Sequence, residues 1–226
     1  MRKQVLIGMM VLTLGAGLVG CGKSETNKTE NNTTTAAGGG QAADASTEAK
    51  KEEARVDTSS WNKSSIGTKG SVKYPTGYFY IRDVGEIIYK GNNPDYAIVI
   101  CPAFDSEGKE LTASTYNEIF EDATKALGRG YWRKGIFKNT ETYKNVKIVT
   151  DTKKECKING HDAFNFTAKT TGAANNKERY VYGYLSCTPE EPFTVYGIVL
   201  TDSDSDALKK EIQTEVDAIM NTFETK

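Results

Sequence analysis

Histidine occurs once in the 226 residues, at His161, and that scarcity excludes a good deal. A zinc site built on two or three imidazoles is not available to this chain, and one histidine without an oriented nucleophile is a poor general base. Charge is nearly balanced, with a formal net charge of -1, so no basic field recruits nucleic acid. Cysteine is sparse, and Cys21, Cys101, Cys156 and Cys187 show no CxxC spacing for zinc or redox chemistry. No glycine-rich phosphate loop, GxSxG elbow or SxxK motif is present. No cofactor or metal is therefore expected. The longest apolar run, Val5 to Val19, is shorter than the roughly 20 residues a membrane-spanning helix needs.

That run is nevertheless what organises the chain. Met1-Arg2-Lys3-Gln4 is a short positive segment, the apolar stretch follows, and the small residue Gly20 closes it. Together they read as a secretory signal at residues 1–20. Leu18-Val19-Gly20-Cys21 resembles the lipobox of bacterial lipoproteins, in which the signal is cut before a diacylated cysteine. That resemblance implies lipidation of Cys21, membrane anchoring on the extracytoplasmic face, and removal of Cys21 from the disulfide count. Each buried methylene contributes about 0.8 kcal/mol, so two acyl chains hold stably where one holds marginally.

Residues 21–57 follow as lipidated cysteine and tether. Thr33-Thr34-Thr35-Ala36-Ala37-Gly38-Gly39-Gly40 is low-complexity, and Glu48 to Arg55 is charged without an apolar face. Such a segment buries too little surface to offset its chain entropy. As a flexible coil it spans roughly 30 to 36 Å.

Residues 58–226 are expected to form one domain, about 165 residues being enough for a real core. Tyr74 to Ile81 opens with turn chemistry and continues as an aromatic strand, and Val84 to Tyr89 is a second strand. Tyr96 to Cys101 is apolar on both alternations, as in a strand covered on both faces. Thr112 to Leu127 places Tyr116, Ile119, Phe120, Ala123 and Leu127 on one helical face. Val146 to Thr150 and Glu155 to Ile158 read as strands, and Asn159-Gly160 as a type I′ hairpin turn into Ala163 to Ala168. Two longer strands, Arg179 to Cys187 and Phe193 to Thr201, flank a five-residue loop. Pairing Cys187 with Phe193 would set Gly183 opposite Gly197 and Tyr184 opposite Tyr196. The facing glycines would then seat a closely packed helix or floor a cleft. Leu208, Ile212, Val216, Ile219, Met220 and Phe223 form the stripe of a closing helix.

The expected class is α+β: a mostly antiparallel sheet of about six strands with helices packed on both faces. Tyr74-Pro75-x-Gly77-Tyr78, the hairpin Ile158 to Ala163, the paired strands and the closing helix resemble the PsbP-like fold, an α/β/α sandwich. The resemblance implies a binding, assembly or scaffold role and carries no catalytic residues.

Candidate contacts are the exposed cation and aromatic mixture Arg129, Tyr131, Trp132 and Arg133, together with Tyr184 and Tyr196 in the strands. Loop solubility and strand propensity explain the same residues. Asp202-Ser203-Asp204-Ser205-Asp206 lacks the glycine and glutamate of a calcium loop, having Ala207 and Gln213 there, and reads as helix capping. Cys156–Cys187 is one disulfide possibility; three buried thiols are the other. The functional expectation is a membrane-anchored extracytoplasmic lipoprotein serving as a non-catalytic module for a surface protein partner or small ligand. The alternative is an extracytoplasmic enzyme with a carboxylate- or cysteine-based site.

Overall fold

The apolar alternation of Tyr96 to Cys101 becomes strand β5 (Tyr96–Pro102), third in a seven-stranded sheet. The computed structural model describes residues 56–82, 85–91, 94–128, 146–172 and 177–226. The sheet's other strands are β3 (Phe79–Arg82), β4 (Glu86–Tyr89), β6 (Lys147–Ile158), β7 (His161–Thr171), β8 (Tyr180–Cys187) and β9 (Pro192–Val199), in the order β3-β4-β5-β9-β8-β7-β6. Every pairing is antiparallel. One more strand is present than the six expected from sequence. A second sheet of three strands, β1 (Asn62–Ile66), β2 (Gly70–Tyr74) and β10 (Glu224–Thr225), was not legible there. Its strands are short and polar, and Ser64 and Ser71 occupy buried positions that a hydrophobicity pattern passes over.

Neighbouring residues of β5 serve two different cores. Ala97, Val99 and Cys101 join a cluster to which helix α1 (Tyr116–Gly128) supplies Tyr116, Ile119, Phe120, Ala123 and Leu127. Ile98 and Ile100 join another, to which helix α2 (Asp206–Met220) supplies Leu208, Ile212, Val216, Ile219 and Met220. Both helical stripes are the ones the spacing predicts. Burying each such side chain stabilises the fold by about 1.5–3 kcal/mol, so either stripe outweighs the intrinsic helix preference of its segment. Ser205 caps α2, its hydroxyl accepting from the Leu208 N–H at 3.2 Å, while Asp202 pairs with Lys177 at 2.7 Å and Asp204 with Lys209 at 3.1 Å. Thr112 and Thr115 cap the start of helix α1 reciprocally: the Thr115 N–H donates to Thr112 Oγ1 at 3.2 Å, the Thr112 N–H donates to Thr115 Oγ1 at 2.9 Å, and the Tyr116 N–H meets the Thr112 carbonyl at 2.9 Å.

Asn159 and Gly160 take φ of 49° and 88° and close the β6–β7 hairpin as the Asn-Gly pair predicts. The two strand segments expected before it are one strand, carried across a register shift between Thr150 and Thr152.

The β8–β9 register differs from the expectation by one residue. Cys187 faces Pro192, so Gly183 lies opposite Tyr196, Tyr182 opposite Gly197 and Tyr184 opposite Val195. The cause is Thr188, whose hydroxyl accepts the N–H groups of Glu190 and Glu191 at 3.1 and 3.0 Å and donates to the Glu191 carbonyl at 3.1 Å. That knot closes a four-residue loop rather than a five-residue one. The glycines consequently serve different faces. A Cβ on Gly197 would collide with Ile212 of α2, so close helix packing explains that glycine. A Cβ on Gly183 would lie 2.5 Å from the Tyr196 Cβ.

No disulfide joins Cys101, Cys156 and Cys187. Cys156 pairs with Ala163, and Ala163 with Ser186, so Cys156 and Cys187 sit on strands separated by β7. Two strand spacings are about 10 Å, beyond the reach of a bridge.

A carboxylate-lined cleft at one end of the sheet

The end of β3, the start of β4, the end of β5 and the β8–β9 turn all lie at one end of the seven-stranded sheet. The β1–β2 turn meets them there: the N–H and hydroxyl of Thr68 both donate to the Glu190 carboxylate, the former at 2.9 Å. Gly67, at φ +56°, allows this approach, since a Cβ there would stand 2.8 Å from Glu190 Oε2 and 2.9 Å from Glu191 Oε1. Gly85 does the same for β4, a Cβ there falling 2.9 Å from the Ile100 carbonyl oxygen.

Between these turns lies a cleft of about 420 Å³, with Glu86, Glu191 and Arg82 in its polar lining and Ile100, Pro102 and Phe104 in its apolar lining. Glu86 is only 9% exposed and Glu191 only 8%, whereas Phe104 is 62% exposed. Glu86 Oε1 accepts the Tyr80 hydroxyl at 2.8 Å, and its Oε2 is buried without a hydrogen-bond partner. Burial raises the Glu86 proton affinity above the ordinary glutamate range; the Tyr80 hydrogen bond and the Arg82 charge offset part of this. Glu191 is also raised, first by burial and then by the charges of Glu107 and Glu190. Glu190 goes the other way, held down by the two Thr68 donors. The sequence offered no signal for this set, because its members lie far apart in the chain and match no motif.

Glu191 also lines an adjoining cleft of about 450 Å³ with His161, Asp162 and Cys187. Burial pushes the Cys187 thiol up to about 11, so it is not an activated nucleophile. Cys156 is likewise raised by burial. His161 is half-buried, its ring 5.2 Å from that of Phe223 and its Nε2 3.4 Å from Thr225 Oγ1. A third groove, about 710 Å³, runs between Phe120 and Thr124 of α1 and Val146 to Thr150. Among the described residues no three His, Cys, Asp or Glu side chains are grouped to hold a metal ion.

Structural similarity was found to the solution structure of cyanobacterial PsbP from Synechocystis, with a TM-score of 0.47 and 10% identity over 73% of this chain and 92% of that one. LpqN of Mycobacterium tuberculosis, described as involved in cell envelope biogenesis, gives a TM-score of 0.41 and 12% identity over 73% of this chain and 90% of that one. The Saccharomyces cerevisiae Ran-binding protein Mog1p gives 0.38 and 12% over 73% and 95%. No family model and no curated protein matches the sequence.

Arg129, Tyr131, Trp132, Arg133 and Cys21 lie outside the described residues. Tyr184 and Tyr196 are described, and the structure separates them. Tyr196 is fully buried in the cluster that α1 completes, so it is not a surface contact: β9 is an interior strand buried along its whole length, and Tyr196 shares its face with Val99 of β5. Tyr184 is half-buried against α2 and donates to Asp217 Oδ1 at 2.8 Å, beside Tyr182 at 2.7 Å. Toward the middle of α2, Lys90 pairs with Glu211 at 2.8 Å and with Glu215. These residues bind the polar side of α2 to the sheet.

Proposed function

We propose that this chain is a lipoprotein anchored through Cys21 to the extracytoplasmic face of a membrane. Its PsbP-like α/β/α domain serves as a non-catalytic binding module for a surface protein partner or small ligand. The lipobox resemblance supports the location. One structural observation supports the binding role: the cleft of Glu86 and Glu191, which combines an unpartnered buried carboxylate oxygen of Glu86 with an apolar wall. Burial raises the Cys187 and Cys156 thiols, so neither is activated, which weighs against the cysteine form of the enzymatic alternative. Two buried carboxyl groups in one cleft keep its carboxylate form as the second reading.

The test is crosslinking and pull-down from native membranes, comparing wild type, Cys21→Ser and a Phe104→Arg variant that places positive charge in the cleft mouth. The proposal expects Cys21→Ser to leave the membrane fraction and Phe104→Arg to stay there while losing its captured partner. Membrane retention of Cys21→Ser would remove the anchor, and unchanged capture by Phe104→Arg would remove the cleft from the binding role.

A further inference from the structure

The unusual feature of the cleft is how little it provides for its own carboxyl groups. Glu86 is nine-tenths buried, yet its Oε2 has no hydrogen-bond partner. A buried polar atom left unpaired costs stability, and one lining a cleft points to a ligand that completes it. Glu191, nearly as buried, faces two further acidic residues, Glu107 and Glu190. Arg82 is the internal cation of the site, but it is exposed at the rim and leaves Oε2 unpaired.

We propose that this cleft is a binding site for an organic cation, an alkylammonium or guanidinium group whose N–H donors complete the hydrogen bonding of Glu86 and whose charge offsets that of Glu191. A metal ion is a poorer occupant, since the described residues group no three ligands for one. The apolar wall of Ile100 and Pro102 suits the methylene stem of such a ligand, and the exposed Phe104 side chain in the lining supplies an aromatic ring for a cation–π contact. A volume of about 420 Å³ holds the end of a lysine or arginine side chain or one arm of a polyamine. The inference rests on the binding-module reading and names the chemistry that module would recognise.

The groups facing the carboxyls fix the expected pH response. Tyr74, Tyr80 and Arg82 surround Glu86, and Glu107 and Glu190 surround Glu191. Both carboxyls hold protons above the ordinary range, and a cation binds their ionised forms. Affinity therefore rises as pH increases through that raised range and falls below it.

The test is calorimetric titration of the full chain in detergent micelles with spermidine, and separately with N-acetyl-arginine amide as a stand-in for a protein-borne cation. Saturable binding of either probe is expected at about pH 8, weaker at about pH 5. The double variant Glu86→Gln, Glu191→Gln should weaken it about tenfold or more. Phe104→Ala, at an exposed position that leaves the fold intact, should weaken it about two- to fivefold. Preference for spermidine assigns the site to a free amine; preference for the arginine probe assigns it to a partner's side chain. Absence of saturation with both probes, or affinity unchanged in the double variant, overturns the proposal. If that occurs while Phe104→Arg still loses its captured partner in native membranes, the binding module stands and only its cation chemistry fails.

Discussion

Replacing Thr188 with valine tests both the register of the β8–β9 hairpin and the placement of the cleft carboxylates. Thr188 is buried, and its hydroxyl meets two N–H groups and one carbonyl of its own turn. Valine keeps the branched shape, including the methyl that fills the space beside Gly70, and removes only the hydroxyl. The buried Glu191 N–H then loses its acceptor, a cost of about 1–3 kcal/mol, and the half-buried Glu190 N–H adds about 0.5–1 kcal/mol. The sum is about 2–4 kcal/mol, and at about 2–4 °C per kcal/mol for a domain of this size Tm should fall by about 5–15 °C. Thr188→Ser keeps the hydroxyl and loses the methyl, for about 1 kcal/mol. Thermal unfolding followed by circular dichroism compares the two. A valine variant no less stable than the serine variant would refute the claim that the hydroxyl knot sets the turn.

Other consequences are equally direct. Glu86→Gln keeps an acceptor for Tyr80 and removes the ionisable group. Because the folded-state carboxyl is raised, its stabilising contribution is fully present below the ordinary glutamate range and is lost as pH rises through the raised value. The variant should therefore match wild type near pH 4 and exceed it in Tm near pH 8; a constant difference across that range contradicts the burial argument. Gly197→Ala should cost about 1–3 kcal/mol by forcing its methyl against Ile212, and the loss should shrink in combination with Ile212→Ala, as a double-mutant cycle of urea midpoints will read. Cys187, with its thiol at about 11, should be roughly one part in a thousand thiolate at pH 8 and react slowly with iodoacetamide; alkylation as fast as that of a free cysteine would show that the thiol is activated.

Much of this architecture was readable in the sequence where period and turn chemistry agree. The stripes of α1 and α2, the two-sided burial of β5 and the Asn159-Gly160 turn all follow from local pattern. The β1–β2–β10 sheet did not, because its residues satisfy no strong hydrophobic alternation and are held by pairing between the two ends of the domain. The β8–β9 register failed for a different reason: a Thr-Pro-Glu-Glu segment does not announce that its threonine will close the turn one residue early. That single step set Tyr184 and Tyr196 on opposite faces of the sheet and dissolved the pair of facing glycines. The cleft was illegible for the same physical reason that makes it specific. Glu86 and Glu191 stand over a hundred positions apart, and only antiparallel pairing through β5 and β9 brings their strands together.

The central claim, an anchored module that uses this cleft to bind, is tested most directly by photocrosslinking from position 104 in native membranes. With a benzophenone side chain in place of Phe104, whose ring is 62% exposed at the cleft mouth, one discrete adduct is expected. That adduct should be lost when Glu86→Gln and Glu191→Gln are added. No adduct, or one that persists undiminished in the double variant, would contradict the account.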